Sequence, residues 1–540
     1  MRQPEYEHSY SRETLRKELI EKSYEEEKRK KAKKKNRNLK TVILVLFFFL
    51  LISIAILIFI LIDKTKIGVK DGEVSIDETV TNEYGTIINK NTRKWKDTGN
   101  KLNKDIEFSQ KTVYDMGEEK ENDILVKIEV PTVDFYSSEL NVTTEEAKTE
   151  KVTWVDYEKL TPETRVVSID NDYFFDTFTK GARYTYLSFN ASDSDIVAAK
   201  WIATADQDYD KRLPQGVKGL LSFAQTGVTA LVRAMTITLN NPSKANGRGS
   251  YFADNIKDFL SSKDLTHISN EASFVNDCKG STGTMMLCSD WRTLDSITAI
   301  GTDIVELTGN HNNNYGTEAN IATINKYHEL GIKTFGGGVN EEEAKKPLEL
   351  NEKGIGITLL GYNKSSSTVG NGELSSGNTP GANGYDEATA KADIEAAKKR
   401  GDIVIVDLQF SECYAYPDGY TEMPECDAPI NGQQGFFRQF IDWGADIVIG
   451  TQAHHPQTYE FYNGKPIYYG LGNFFFDQTY WPGTQRGYIL THYFDVNTKR
   501  YLNTRISPTW YDEKHQVYLT NEETSESFIA RLMKESPKGK

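Results

Sequence analysis

AIGTDIVELTGNHNNNYG at 299–316, continued by EANIATINKYHELGIKTFGGG at 318–338, is the stretch whose reading decides the fold. AIGTDIVEL (299–307) clusters aliphatic and β-branched residues and reads as a buried strand. Gly309, Asn310 and His311 then open a loop of three further asparagines, Tyr315 and Gly316. The continuation reads as a helix, a Gly331 stop and another strand. The scheme recurs in EATAKADIEAAKKRGDIVIVDLQF (387–410), where Gly401 ends the helix, and in QQGFFRQFIDWGADIVIGTQAHH (433–455). Helices alternating with β-branched runs predict an α/β layered fold.

Each strand delivers polar residues at its carboxyl end, where α/β proteins place ligands and reacting groups. Asn310, His311 and Asn314 follow the first strand, Gln409 and Glu412 follow VIVDL, and Gln452, His454 and His455 follow ADIVIG. FLSSKDLTHISNEASF (259–274) delivers Asn270 and Glu271, and PIYYGLGNFFFDQ (466–478) delivers Asn473 and Asp477. Of His454 and His455 one is expected to point into packing, because neighbouring strand residues face opposite sides. Asp477 reads as a helix or turn cap.

The 540 residues predict two or three domains. TVILVLFFFLLISIAILIFILI (41–62) is uncharged and long enough to span a bilayer as a helix, and KRKKAKKKNRNLK (28–40) precedes it. The positive-inside rule then keeps residues 1–40 cytoplasmic and exports the chain from residue 63 onward, as a single-pass signal-anchor protein of the cell membrane. Residues 1–40 carry 14 Lys/Arg against 8 Asp/Glu, a net of +6; with the chain at −14, the remainder carries −20. The basic block favours anionic lipid headgroups, and the acidic remainder argues against nucleic acid as a partner. The order of the four cysteines suggests two local loops, Cys278–Cys288 and Cys413–Cys426, and export permits disulfides. No CxxC spacing points to zinc.

The expected organisation is a cytoplasmic tail (1–40), a transmembrane helix (41–62), a stalk (63–115), a β-rich or mixed accessory domain (116–215), the α/β domain (216–505) and a C-terminal tail (506–540).

Six blocks carry a family resemblance: GVTALVR (227–233), DLTHISNEASF (264–274), GTDIVELTGNHNNNYG (301–316), GGGVNEEEAKKP (336–347), IVDLQFSE (405–412) and IGTQAHHPQTYEFYNGKPIYYGLGNFFFDQ (449–478). In order and spacing, residues 219–505 resemble the capsule-synthesis CapA, or poly-γ-glutamate synthesis, family. That family is similar to calcineurin-like metallophosphoesterases, so the resemblance implies a four-layer α-β-β-α sandwich. It also implies a membrane-anchored role in making, exporting or anchoring an anionic surface polymer, beside polymer-synthase membrane proteins. Carried over residue by residue, the family's Asn-His pair falls on Asn310 and His311, its acidic residue on Glu271 and a histidine on His454. Val228, Asn314, Gln409 and Gln452 stand where the family often has Asp, Asp, His and His. Replacing two carboxylates and two imidazoles weakens a dinuclear metal site. At most one divalent metal ion is expected, with Glu271, Asn310, His311 and His454 as its ligands; a metal-free site is the alternative.

Two function classes lead, ahead of a third reading as a dinuclear metallophosphoesterase of nucleotides or phosphate esters, which Val228, Gln409 and Gln452 disfavour. One is a hydrolase of phosphoester or amide bonds, with His311, His454, Glu271 and Glu412 as acid, base or carboxylate. Asn310, Asn314, Gln409, Gln452, His455 and Asn473 would then contact substrate. The other is a non-catalytic scaffold holding polymer or synthase in an altered pocket.

Overall fold

The computed structural model describes residues 71–537, apart from 119–120, 206, 208, 210–212, 214–215, 365–372, 412–425, 427, 431 and 481–482. The expected membrane span, the basic tail, Glu412 and Cys413 therefore lie outside the described residues. Among those described, no helix is long and apolar enough to cross a membrane.

The chain is mixed α/β. A seven-stranded sheet runs in the order Lys333–Phe335, Ile304–Glu306, Leu265–Asn270, Leu220–Thr229, Arg486–Asp495, Tyr501–Tyr511, Val517–Leu519. Its first four strands are parallel and the rest antiparallel. A six-stranded sheet runs Leu348–Glu352, Ile355–Asn363, Ile403–Gln409, Ile447–Gly450, Lys465–Tyr468, Tyr459–Tyr462, parallel through its four central members. Crossover helices Thr317–Glu329, Glu387–Arg400 and Gln433–Asp442 connect parallel neighbours, as parallel pairing requires.

Side-chain alternation along the strands sorts the core into clusters. Leu221, Phe223, Leu265 and Ile304 of the first sheet share one cluster with Ile357, Leu359, Ile405 and Ile449 of the second. On the first sheet's other face, Ile268 and Val305 pack with Met235, Ile297 and Ile324 from helices. On the second sheet's other face, Val404, Val406 and Val448 pack with Ile394, Phe437 and Phe440 from helices.

Two boundary expectations are corrected. The stretch expected as a stalk forms, from residue 71 onward, part of the accessory domain: Ile106–Val113 is a central strand of its six-stranded sheet, and Asn82–Asp97 is a helix. Tyr84, Ile88, Ile106 and Phe108 bury one face against Ile202, which a solvated stalk does not do. The residues expected as a tail supply the end of Tyr501–Tyr511, the strand Val517–Leu519 and the helix Glu522–Lys534. Phe528, Ile529 and Leu532 recur at helical spacing and join the core between the sheets. The accessory domain docks on the first sheet through a shared cluster containing Tyr184, Leu220, Tyr493 and Leu502. Tyr157 Oη donates to Asp495 Oδ2 at 2.6 Å across that contact.

Candidate functional site

Parallel strands place the predicted loops side by side at their carboxyl ends, and backbone contacts fix their order. The Glu271 amide donates to Thr229 O at 2.9 Å. His311 pairs as an isolated bridge with Ala272, and Val228 with Asn473. Gly309 permits the first of these approaches, since a Cβ there would lie 2.6 Å from Glu271 Cα. Glycine is the residue that tolerates so close a backbone contact.

His311 Nδ1 lies 2.6 Å from Asn314 Oδ1. The same oxygen accepts the Leu287 amide at 2.9 Å, so it is an acceptor and Nδ1 must carry the imidazole proton. Nε2 then presents its lone pair, 4.0 Å from Glu271 Oε1, with both side chains buried. His454 repeats the arrangement: Nδ1 lies 2.8 Å from Asn473 Oδ1. The Asn473 amide nitrogen donates to Gln478 Oε1 and Thr484 O, each at 3.0 Å, which fixes its oxygen as the acceptor. Both imidazoles are thus turned to offer Nε2, the orientation a general base or a metal ligand needs.

With its amide oriented to satisfy its neighbours, Gln409 donates to Thr308 O and to Gln452 Oε1, each at 3.1 Å, and accepts the Asn310 amide at 3.2 Å. Contacts therefore close a ring: Glu271 to Thr229 and Val228, Val228 to Asn473, Asn473 to His454, the chain from His454 to Gln452, then Gln409, Asn310, His311 and back to Glu271.

His455 is buried apart from this ring chemistry, with Nδ1 2.8 Å from the Pro456 carbonyl. Burial pushes its imidazole down to about 3. Asp477 accepts the Ala234 amide at 3.0 Å, where the helix Ala234–Asn240 begins, and also pairs with Arg233.

Among the described residues, no three His, Cys, Asp or Glu side chains come together in a group able to hold a metal ion. The ring offers one carboxylate, Glu271, two imidazoles and otherwise amides. That donor set does not fit a dinuclear centre.

The disulfide Cys278–Cys288 bears on His311. It closes the loop carrying Leu287, whose amide fixes Asn314 and through it the imidazole. Replacing both cysteines with serine is expected to destabilise the protein by about 3 kcal/mol, the loop-closure value for a bridge this short. Denaturant unfolding of the two forms measures the difference. Cys413, the expected partner of Cys426, is outside the described residues.

A further set of buried groups lies below the ring, and sequence reasoning missed it. Glu306, His267 and Gln225 on the first sheet face Asp407 on the second. His267 Nε2 lies 3.1 Å from Asp407 Oδ2, and Ser269 Oγ donates to Glu306 Oε2 at 2.6 Å. Burial and the Asp407 charge push the Glu306 acid up to about 7. A charged residue inside each apolar run, DIVEL and IVIVDL, was the available signal.

Fold and site together define an α/β domain with a histidine–carboxylate–amide centre at its strand ends. Residues 222–478 match the model of the bacterial capsule synthesis protein PGA_cap family. It is 29% identical over 236 residues to the PGA biosynthesis protein CapA of Bacillus subtilis, covering 42% of this chain and 58% of that one. To the capsule biosynthesis protein CapA of Bacillus anthracis it is 26% identical over 209 residues, covering 38% and 47%. The chain thus spans about half the length of these relatives. A novel phosphatase of Mycoplasma pneumoniae aligns at 14% identity over 54% of this chain and 93% of that one, with a TM-score of 0.29.

Proposed function

We propose that this chain is a membrane-anchored, extracytoplasmic protein of capsule or poly-γ-glutamate biosynthesis whose ring of loops acts on an anionic polymer, hydrolysing an amide or phosphoester bond. The observation that carries this reading is the buried pair His311–Glu271, with the imidazole proton on Nδ1 and Nε2 turned to the carboxylate. In that arrangement His311 Nε2 takes a proton from an attacking water and Glu271 stabilises the imidazolium that results. His311 Nε2 then passes that proton to the leaving group, and His454, held in the same way by Asn473, accepts at Nε2 a hydrogen bond that orients the attacking water. The side-chain amides of Gln409, Gln452 and Asn310 offer neutral hydrogen bonds that orient an acidic chain without adding charge.

The order of the core clusters, helices, sheet, shared core, sheet, helices, supports a four-layer α-β-β-α sandwich of metallophosphoesterase type. Membrane anchoring rests on the uncharged run 41–62 and the basic block before it. Anionic lipid headgroups at that block and polymer-synthase membrane proteins are the proposed partners.

One observation favours a second reading, a non-catalytic polymer- or synthase-binding scaffold: Val228, Asn314, Gln409 and Gln452 stand where the related pattern has ionisable side chains. Incubating the purified full chain with poly-γ-glutamate and with a phosphate ester, alongside metal analysis, separates the two. His311→Ala is expected to lower hydrolysis by roughly a hundredfold or more, the usual contribution of a general acid or base. Binding with no turnover establishes the scaffold. Turnover at an unchanged rate in His311→Ala sinks the catalytic role of this pair.

A further inference from the structure

A cavity of about 170 Å³ lies where the accessory domain meets the other end of the chain. That volume is many times the roughly 10–15 Å³ that one water needs. One wall is formed by accessory-domain residues including Arg165 and Tyr173, the other by Arg505 and Ser507 of the strand Tyr501–Tyr511 and by the first turn of the helix Glu522–Lys534.

The charges on these walls do not balance. Arg505 is paired with Asp176 and lies 4.3 Å from the centre of the Tyr173 ring. Arg165 is 4% exposed and has no carboxylate partner among the described residues. Its Nη2 donates to two backbone carbonyls, Ser137 O and Glu139 O, the second at 2.9 Å, while Nε has no partner. A guanidinium is a cation with its N–H donors set in a rigid fork and no acceptor. Burying it against carbonyls alone leaves much of its desolvation cost unrecovered. Two neutral groups on the walls are also buried and unpartnered, Tyr173 Oη and Ser507 Oγ. Glu522 is the carboxylate on the lining, and it is engaged by Asn141 Nδ2 at 3.1 Å.

An uncompensated guanidinium edge and two spare hydroxyl donors on one cavity are the complement of an anion with several acceptor lone pairs. A carboxylate meets that description and binds guanidinium with directed hydrogen bonds. We propose that this junction cavity is a second subsite, remote from the ring of loops, that takes a carboxylate of an acidic chain. The source of the carboxylate, a γ-linked glutamate polymer, rests on the proposed function; the demand for an anion does not. Through such a subsite the accessory domain holds one part of the polymer while the ring of loops works on another.

Hydrogen exchange and calorimetry on the purified full chain test this, with a short γ-linked glutamate oligomer and, separately, inorganic phosphate as probes. Adding oligomer is expected to protect backbone amides in 137–173 and 501–525. Tyr173→Phe and Ser507→Ala, which remove a hydroxyl with little change of shape, are each expected to weaken oligomer binding roughly tenfold, the value of a hydrogen bond to a charged group. Arg165→Gln is expected to abolish protection at the junction. Oligomer bound with equal affinity by the native chain and the hydroxyl variants, or protection elsewhere but not in these segments, overturns the junction subsite and leaves the polymer reading standing. Phosphate bound in place of oligomer overturns the assignment to a chain carboxylate. No binding of oligomer by the native chain overturns both the subsite and the polymer reading.

Discussion

Replacing Glu306 with glutamine is expected to stabilise the protein at pH 8 by about 3 kcal/mol and to leave it nearly unchanged at pH 4. Glu306 is fully buried, and its acid is pushed up to about 7 from the ordinary 4.5, chiefly by desolvation and then by the facing Asp407 carboxylate. Between those two values the folded chain keeps a proton that the unfolded chain has released. Native stability therefore falls as pH rises from about 4.5 to about 7, and this group adds no further slope above that window. Glutamine removes the ionisation and keeps the shape. Its oxygen continues to accept the Thr308 amide, and its nitrogen meets Ser269 Oγ, the two contacts that hold Glu306. Denaturant midpoints of both forms at pH 4, 6 and 8 read the effect. A difference between the two forms that is constant across that range would refute the assignment.

This network also marks the limit of what the sequence discloses. Alternating helices and apolar runs were legible because each strand carries its own pattern, and the loops at their carboxyl ends could be named from it. Glu306 and Asp407 were visible as charges inside those runs, but their meaning depends on two sheets facing each other. No local periodicity tells Asp407 that its neighbour is His267. The same holds for Asn314. In sequence it is one asparagine among four; in the fold its oxygen joins Leu287 to His311 and decides which imidazole nitrogen is presented. The helix Glu522–Lys534 is a different case. Its apolar spacing was present in the sequence, and an expected tail concealed it because nothing local shows that Phe528 and Leu532 have a core to enter. Arg165 is the extreme: a lone arginine in a β-rich segment acquires meaning only from a cavity shared with residues more than three hundred positions away.

The other large effect is expected from a single methyl group at Gly227, where substitution by alanine should destabilise the protein by about 3 kcal/mol or more, at the upper end of overpacking costs. A Cβ there would sit 1.9 Å from Gly472 O and 2.9 Å from Gly472 C, both backbone atoms. The contact is not slack, because the Val228 amide donates to Gly472 O at 2.9 Å and the Phe474 amide to Val228 O at 2.8 Å. Gly472 cannot retreat either: it has φ +73 and its own Cβ position is 2.6 Å from Arg486 O. The loop must therefore separate from the strand end, and Asn473 moves with it. That movement releases the oxygen that fixes Nδ1 of His454, so the substitution disorders the ring of loops as well as lowering stability. Gly435 supplies the control. It lies inside the helix Gln433–Asp442 with nothing within 4 Å of its Cβ position, so Gly435→Ala should stabilise by up to about 1 kcal/mol through helix propensity. Thermal unfolding of the two variants beside the native chain is decisive, since one substitution type then moves stability in opposite directions. Equal shifts at both sites would show that the close approach of Gly227 to Gly472 does not govern this end of the strand.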